Sequence, residues 1–440
     1  MPAFPMVGIG ASAGGVEALQ AMFRAMPALP MGFIVVTHVG AGHESALPQI
    51  LRDCTAMPVL AAQDGEAVRP GHVHVLPNDA LLTLSGGRMV LRPQIPGAPR
   101  ERQPIDLFFA SLAGEQGEAA IGIVLSGSGS DGTLGLKAIK EGGGLTIAQG
   151  SVQGGDGIAP RYPGMPSSAV AVGVVDLVLP ADRIAVRLAE LAQDRLEGTL
   201  DAASEAAAMQ AEICGILRAR VGHDFSGYKA KTIFRRVQRR MQVRSVQEIE
   251  AYMALLRQGG EEAGHLFRGL LISVTGFFRD ADAFAALARG VIPAISEGRG
   301  ADSAVRIWVP GCATGEEAYS LAILAREQLG DQPDAPRIQI FATDIDVAAL
   351  SVGRGGRYPA SMMASVSPER LARFFVGDGA TYAVTREMRE ACIFSSHSII
   401  RDVPFSRIDL VSCRNLLIYM GGRLQEQVTP LFHYALRPSG

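Results

Sequence analysis

Cysteine is scarce in this chain. Five cysteines among 440 residues (Cys54, Cys214, Cys312, Cys392, Cys413) are odd in number and form no C-x-x-C pair. That pattern fits reduced thiols better than a disulfide framework or a zinc site, and no metal is expected. Charge is also sparse: Asp, Glu, Lys and Arg make up 19% of residues and the formal net charge is −3, which argues against a general nucleic-acid binder. No uncharged apolar run approaches the roughly 18 residues that a membrane helix needs, so membrane insertion is not expected. The N-terminus has no basic n-region before Met6–Ile9, so no secretory signal is expected and the cytoplasm is the anticipated compartment. What is abundant is apolar material. Hydrophobic residues make up 48%, enough for two or three domains of roughly 100–200 residues each.

The first informative stretch is Gly8-Ile9-Gly10-Ala11-Ser12-Ala13-Gly14-Gly15. A short apolar run enters it and a helical pattern (Val16, Leu19, Met22, Phe23) leaves it. Glycines two residues either side of Ser12 let the backbone bend sharply and present one hydroxyl beyond a sheet. Further short apolar runs at Phe33–Thr37, His72–Leu76, Ala120–Ser126 and Leu145–Ala148 alternate with helical patterns, which predicts a largely parallel sheet covered on both faces. Leu81–Leu84 and Met89–Leu91 read as an inserted hairpin, Ser151–Pro166 as a loop, and Asp194–Ala208 as an acidic, Ala-rich connector that could be a helical spacer. Residues 209–289 look helical, and a second β/α alternation starts at Val305–Val309 and continues through Ile338–Ala342 and Ile408–Ser412.

Ser12, His38 and Asp131 each stand just beyond the C-terminal end of a predicted strand, where open parallel sheets bind ligands. Their types suit a nucleophile, a general base and a carboxylate that orients the imidazole. Simpler readings stand beside this one. Ser12 could cap a helix, Asp131 could cap the helix that starts at Thr133, His43 is a rival base, and Gly8-x-Gly10 resembles a dinucleotide fingerprint. The nucleotide reading needs an acidic residue at the end of the second strand, and Thr37-His38 stands there instead.

Five ordered stretches bear on these alternatives: Gly10-Ala11-Ser12-Ala13-Gly14-Gly15, Thr37-His38-Val39, Pro70-Gly71-His72-Val73-His74-Val75-Leu76-Pro77, Leu125-Ser126-Gly127-Ser128-Gly129-Ser130-Asp131-Gly132 and Tyr162-Pro163-Gly164-Met165-Pro166. Together they resemble the catalytic domain of the chemotaxis protein-glutamate methylesterases (the CheB family) over residues 1–195. The resemblance implies that Ser12, His38 and Asp131 are a catalytic triad. It implies hydrolysis of a γ-glutamyl methyl ester on a receptor, with glutamine deamidation as a second activity. No receiver domain is expected ahead of the esterase. Ser128 stands where family members often have methionine.

A second strand–turn–helix pattern is Val305–Val309 followed by Pro310-Gly311-Cys312-Ala313-Thr314-Gly315-Glu316-Glu317. Small residues admit close backbone approach, and Asp344-Ile345-Asp346 after the next strand could accept hydrogen bonds from ribose hydroxyls. This turn suits S-adenosylmethionine, a cation with no phosphate to cradle. Glu316 and Glu317 could also simply favour a helix start. Ser273-Val274-Thr275-Gly276-Phe277-Phe278-Arg279, Gly311–Ser320, Ala342–Asp346 and Ser412-Cys413-Arg414-Asn415-Leu416-Leu417-Ile418-Tyr419 resemble the chemotaxis receptor glutamate O-methyltransferases (the CheR family) over residues 212–440. The resemblance implies S-adenosyl-L-methionine as cofactor, with Thr275, Arg279, Glu317, Asp344 and Asn415 binding it and Leu416 adding backbone and packing. Ser273 and Ser398 replace asparagines common in the family. Arg279 could orient the carboxylate or the donor, and Tyr419 could line the methyl path. The basic run Lys229, Lys231, Arg235, Arg236, Arg239, Arg240 and Arg244 suggests receptor docking, with a solvated helix face as the plainer alternative. Val376–Ala380 reads as a short hairpin tip. The second domain is expected to lack its last strands.

The expectation is therefore an α/β chain of two domains, each a mainly parallel sheet flanked by helices. The esterase (1–195) is doubly wound, and a linker (196–211) follows it. A helical subdomain (212–289) then precedes a class I, Rossmann-like methyltransferase core (290–440). The expected function is bifunctional modification of a methyl-accepting chemotaxis-type receptor. The rival is a signalling scaffold whose second domain binds without turnover.

Overall fold

The computed structural model describes residues 4–38, 46–78, 80–94, 103–151, 157–197, 203–244, 246–271, 275–330, 334–377 and 381–438. The chain divides into two units: Met1–Asp201 with Met241–Gln247, and Ala202–Arg240 with Glu248–Gly440.

The first unit begins β1 (Met6–Ala11), α1 (Gly15–Ala25), β2 (Gly32–Thr37), α2 (Leu47–Arg52), β3 (Val59–Ala61) and β4 (His72–Val75). A hairpin of β5 (Ala80–Ser85) and β6 (Arg88–Pro93) follows, then α3 (Pro104–Gln116), β7 (Ala120–Val124), α4 (Thr133–Glu141) and β8 (Leu145–Gln149). It closes with α5 (Gly164–Ala171), β9 (Leu177–Leu179) and α6 (Ala181–Glu197). Seven strands make one parallel sheet in the order β3-β4-β2-β1-β7-β8-β9, with β1 central and wholly buried. One core (Leu19, Met22, Phe23, Phe33, Ile184, Leu188) covers one face and another (Ile105, Phe108, Phe109, Leu136, Ile139) covers the other. The doubly wound expectation holds.

The glycines of β1 have a packing reason. A Cβ at Gly8 would come within 2.8 Å of Leu112 and Phe108, and one at Gly10 within 2.4 Å of Ile105. Helix α3 therefore lies directly on the strand backbone. Its Ile105, Phe108, Phe109 and Leu112 are fully buried, each contributing about 1.5–3 kcal/mol.

Some boundaries differ from expectation. β7 stops at Val124 rather than Ser126, and the loop expected over Ser151–Pro166 gives way to α5 at Gly164. The acidic connector is largely helix, in keeping with a helical spacer: α6 runs to Glu197 and the next helix starts at Ala203. β3 and β9 are too short, at three residues each, to show a period in sequence.

The second unit opens with helices α7 (Ala203–Val221), α8 (Ala230–Val243), α9 (Ile249–Gln258), α10 (Gly260–Leu270), α11 (Ala281–Ala286) and α12 (Ile292–Ser296). β10 (Ala304–Pro310), α13 (Glu316–Leu329), β11 (Arg337–Asp344) and α14 (Val347–Gly355) form the β/α alternation. A small antiparallel sheet of β12 (Arg357–Pro359), β13 (Phe375–Gly377) and β14 (Thr381–Val384) is inserted, with α15 (Pro368–Phe374) inside it. Then come α16 (Arg386–Ala391), β15 (Cys392–Ser396), β16 (Leu410–Val411) and α17 (Gly422–Ala435). β15-β11-β10-β16 is a parallel sheet, with β16 only two residues long where a longer Ile408–Ser412 strand was expected. The expected tip at Val376–Ala380 is partly seen as β13; residues 378–380 lie outside the described residues.

The basic run, apart from Lys229 and Arg244 at its ends, lies on α8, and it is not a uniformly solvated face. Arg236 is buried, and Arg240 donates from Nε and an Nη atom to the two carboxylate oxygens of Glu262, both at 2.8 Å. Glu262 also accepts from the Tyr252 hydroxyl at 3.1 Å. Lys231 is exposed.

Removing one partner of a buried pair costs about 3–5 kcal/mol, and here up to that order, since Glu262 keeps the Tyr252 hydroxyl. Arg240→Met should therefore lower stability in chemical denaturation by that order. Arg240→Met with Glu262→Leu should recover most of the loss; equal losses in both proteins would show that the pair itself is not the cause.

Candidate functional sites at the ends of two parallel sheets

In the first unit β1, β2 and β7 run side by side and in parallel, so their C-terminal ends open at one edge. Ser12 follows β1, His38 follows β2, and Asp131 lies in the turn after β7. His38 Nδ1 lies 3.3 Å from Ser12 Oγ, and His38 Nε2 lies 2.8 Å from Asp131 Oδ2. The histidine side chain is 32% exposed and the aspartate 5%. Ser12 does not cap α1: the helix begins after Gly14, which has a left-handed φ of 67° and no side-chain cap. Instead the Ser12 N–H donates to Ser126 O at 2.9 Å, leaving Oγ toward His38. His43 and Ser273 lie outside the described residues.

Asp131 does act as a cap, but of a different helix from the one expected. Its Oδ2 accepts from Ile105 N at 3.0 Å, and its Oδ1 from Asp106 N at 2.9 Å and Gly132 N at 2.8 Å. Ile105 and Asp106 begin α3, whose first N–H groups lack intrahelical acceptors. A helix N-terminus favours a negative charge by about 0.3–1 kcal/mol, and up to about 2 kcal/mol when partly buried. The carboxylate is thereby fixed with one edge on α3 and Oδ2 toward His38.

A second carboxyl stands beside it. Asp106 is buried, and its Oδ1 accepts from Gly135 N at 2.6 Å. Burial first, and then the charge of Asp131, push its pKa up to about 8. Sequence reading missed Asp106. An Asp inside the apolar run Pro104-Ile105-Asp106-Leu107-Phe108-Phe109 was the available signal.

The floor of the site is tight. A Cβ at Gly127 would come within 2.1 Å of Met165 Sδ and 3.0 Å of Ser12 Cβ. Tyr162 N donates to Ser126 Oγ at 2.9 Å, and Gln149 links Ser126 N to Ile158 O. These bonds tie residues 158–165 to the Ser12 turn. Ser128, next to Gly127, is exposed.

The second unit shows a comparable edge. After β10, Gly311 and Cys312 donate to Thr343 O at 2.7 and 3.0 Å, and Ala313, at a left-handed φ of 47°, donates to Asp344 Oδ2 at 2.8 Å. Asp344 Oδ1 accepts from Asp346 N at 2.9 Å, and Asp346 caps α14. A Cβ at Gly311 would come within 2.9 Å of Leu416, so that side chain covers the turn. Glu317 Oε1 accepts from Ser412 Oγ at 2.6 Å.

Burial raises the Glu317 pKa, against the Ser412 hydrogen bond and the charges of Arg414 and Arg279. Burial likewise raises that of Asp344, against the N–H groups of Asp346 and Ala313. Glu317, Asp344, Arg279 and Leu416 thus gather at the turn. Asn415 is exposed, with a left-handed φ of 59°, immediately before Leu416, and Thr275 is half-buried two residues before Phe277. Ser398 is buried, and its N–H donates to Asp402 at 2.8 Å. Tyr419 O accepts from Lys229 N at 3.1 Å. Tyr228 was not anticipated: burial and the Asp344 charge raise its pKa to about 12, so α8 begins beside this turn.

The family model of the CheB methylesterase matches residues 7–188. Residues 211–271 match the CheR methyltransferase all-alpha domain, and residues 273–440 match the CheR methyltransferase SAM binding domain. Residues 7–188 are thus a CheB methylesterase domain, and residues 211–271 and 273–440 are the two CheR methyltransferase domains. An uncharacterized 104.1 kDa protein of Rhodobacter capsulatus is 36% identical over 423 residues, covering 90% of this chain and 43% of that protein. The protein-glutamate methylesterase/protein-glutamine glutaminase 2 of Burkholderia lata is 40% identical over 185 residues, covering 42% of this chain and 52% of its own. The chain thus spans about half the length of these curated relatives. The solved catalytic domain of the Thermotoga maritima CheB methylesterase is 30% identical, covering 43% of this chain and all of its own, with a TM-score of 0.39.

Gly127→Ala should force Met165 or Ser12 to shift, at about 1–3 kcal/mol. A displacement near 1 Å costs about 10²-fold in rate. Labelling of Ser12 by a serine-directed fluorophosphonate should slow by that order; an unchanged rate would mean the turn tolerates the methyl group.

Proposed function

We propose that this chain both removes and adds methyl groups on glutamate side chains of a chemotaxis-type receptor. The observation that carries the first activity is the contact series Ser12–His38–Asp131 at three neighbouring strand ends. With the Nε2 proton donated to Asp131, Nδ1 is the free base. It takes the Ser12 proton as Oγ attacks the ester carbonyl, and returns it to the departing methanol. Water, deprotonated the same way, then releases the glutamate. A glutamine side chain would follow the same course with ammonia leaving. An N–H group at the start of α1 would donate to the oxyanion. A triad held this closely supports turnover over a purely binding role.

The second activity rests on the turn between β10 and α13. Its small residues, two half-buried carboxyls and lack of a cationic phosphate cradle fit a nucleoside carrying a cationic sulfonium. S-adenosyl-L-methionine, when bound, supplies the methyl group. Asp344 would accept from ribose hydroxyls, and Glu317 would hold a cationic or hydroxyl group. Leu416 would pack against the ligand, and Thr275, Arg279 and Asn415 would complete the set. Arg279 would orient the incoming carboxylate or the donor. In-line transfer needs alignment more than acid–base help. In this reading residues 1–195 are the esterase, 196–211 the linker, 212–289 the helical subdomain and 290–440 the methyltransferase core. The substrate receptor's cytoplasmic portion puts the reaction in the cytoplasm. No described helix is long and apolar enough to cross a membrane.

Labelled S-adenosylmethionine and a receptor cytoplasmic fragment, offered to wild type and Ser12→Ala, test both halves. Net methyl incorporation should rise in Ser12→Ala. Equal incorporation in the two proteins removes the esterase, and no incorporation in either removes the methyltransferase. Because Glu317 and Asp344 take up protons above the usual carboxylic range of roughly 4, donor affinity should already weaken on mild acidification. Calorimetry should show that fall in wild type and a smaller one in Glu317→Gln.

A further inference from the structure

Asp106 is used by nothing in the mechanism above, yet it stands directly behind the Asp131 carboxylate. The two residues are joined through the Asp106 N–H, which donates to Asp131 Oδ1 at 2.9 Å. One carboxyl oxygen of Asp106 accepts from Gly135 N, and the N–H groups of Gly132 and Leu134 also favour its charge, but burial and the Asp131 charge outweigh them, and the other oxygen, Oδ2, is buried with no hydrogen-bond partner among the described residues. A buried carboxylate oxygen without a donor is costly, whereas a protonated oxygen there carries no charge to solvate.

Among the described residues no cation is among the main influences on Asp106. The strands that pack against α3, namely β1, β2, β5 and β7, carry no titratable side chain. On α4, Lys137, Lys140 and Glu141 are half-buried, and Lys140 reaches Gly173 O and Asp176 instead. On α3 itself Glu115 lies at the far end and accepts from Gly87 N. The charge that acts on Asp106 is that of Asp131. Two adjacent carboxyls in so closed a space do not both ionise readily.

We propose that Asp106 is a positioning residue for the Ser12 site: a neutral carboxylic acid packed behind Asp131, so that the pair holds a single negative charge, on the carboxylate that orients His38. This inference rests on the esterase reading. Ionising Asp106 would place a second buried charge next to Asp131, disturb the α3 N-terminus that grips it, and release His38 from its working orientation. Alkaline conditions should therefore switch the site off through Asp106, a residue that never touches substrate.

The test is the pH profile of Ser12 labelling in the full chain, using a fluorophosphonate so that no receptor is needed. Wild type should label at a plateau rate and then fall by about tenfold per pH unit beyond an inflection near pH 8. Asp106→Asn keeps an oxygen for Gly135 N and stays neutral. It should label within about threefold of the wild-type plateau and lose the alkaline fall. Two results overturn the proposal: a wild-type profile that stays flat well above pH 8, which needs no variant to fold, or an alkaline fall that persists in Asp106→Asn. Wild type that takes no label at any pH overturns the esterase reading itself, and this inference with it.

Discussion

The first site depends on how closely α3 can lie on β1. Gly8 and Gly10 take side chains away from the strand, and Gly135 does the same on α4, where a Cβ would come within 2.4 Å of Phe109. Any larger residue would lift the helix by the width of a methyl group. With the glycines in place, the first turn of α3 reaches the end of β7 and its N–H groups meet Asp131. That contact fixes the carboxylate, the carboxylate fixes His38, and His38 lies at Ser12. A packing detail of the core thus becomes the alignment of Ser12, His38 and Asp131.

Buried carboxyls are used differently in the two units. Asp131 is held by backbone N–H groups, with one oxygen turned to an imidazole. Glu317 and Asp344 pay for burial with raised pKa values and hold the shape of a glycine turn, Asp344 through the N–H groups of Ala313 and Asp346. The left-handed φ of Ala313 shows how firmly that turn is held, because a residue with a Cβ adopts such a backbone only when its surroundings require it. A desolvated acid next to small residues suits a cationic ligand, just as an oriented imidazole suits a hydroxyl to be deprotonated.

The basic run on α8 illustrates a limit of reading charge in one dimension. Seven cations between Lys229 and Arg244 suggest a docking face. The fold takes Arg240 into a bidentate pair with Glu262 and buries Arg236. What remains for a partner is carried by residues such as Lys231. Charge density in sequence overstates surface charge whenever a helix turns some of its arginines inward.

The sequence by itself determined the alternation of strands and helices, the two glycine turns, and the residue types at the strand ends. These are local properties, set by periodicity and by backbone freedom, so Ser12, His38 and Asp131 could be singled out from one dimension. Only the tertiary structure decided why Gly8 and Gly10 are glycines. It decided that Asp131 caps α3 rather than the helix that follows it, and that Asp106 and Tyr228 stand beside the two sites. Each of these is a contact between segments tens of residues or more apart. Periodicity carries no information about such contacts, because they are set by which faces pack together once the sheet is assembled.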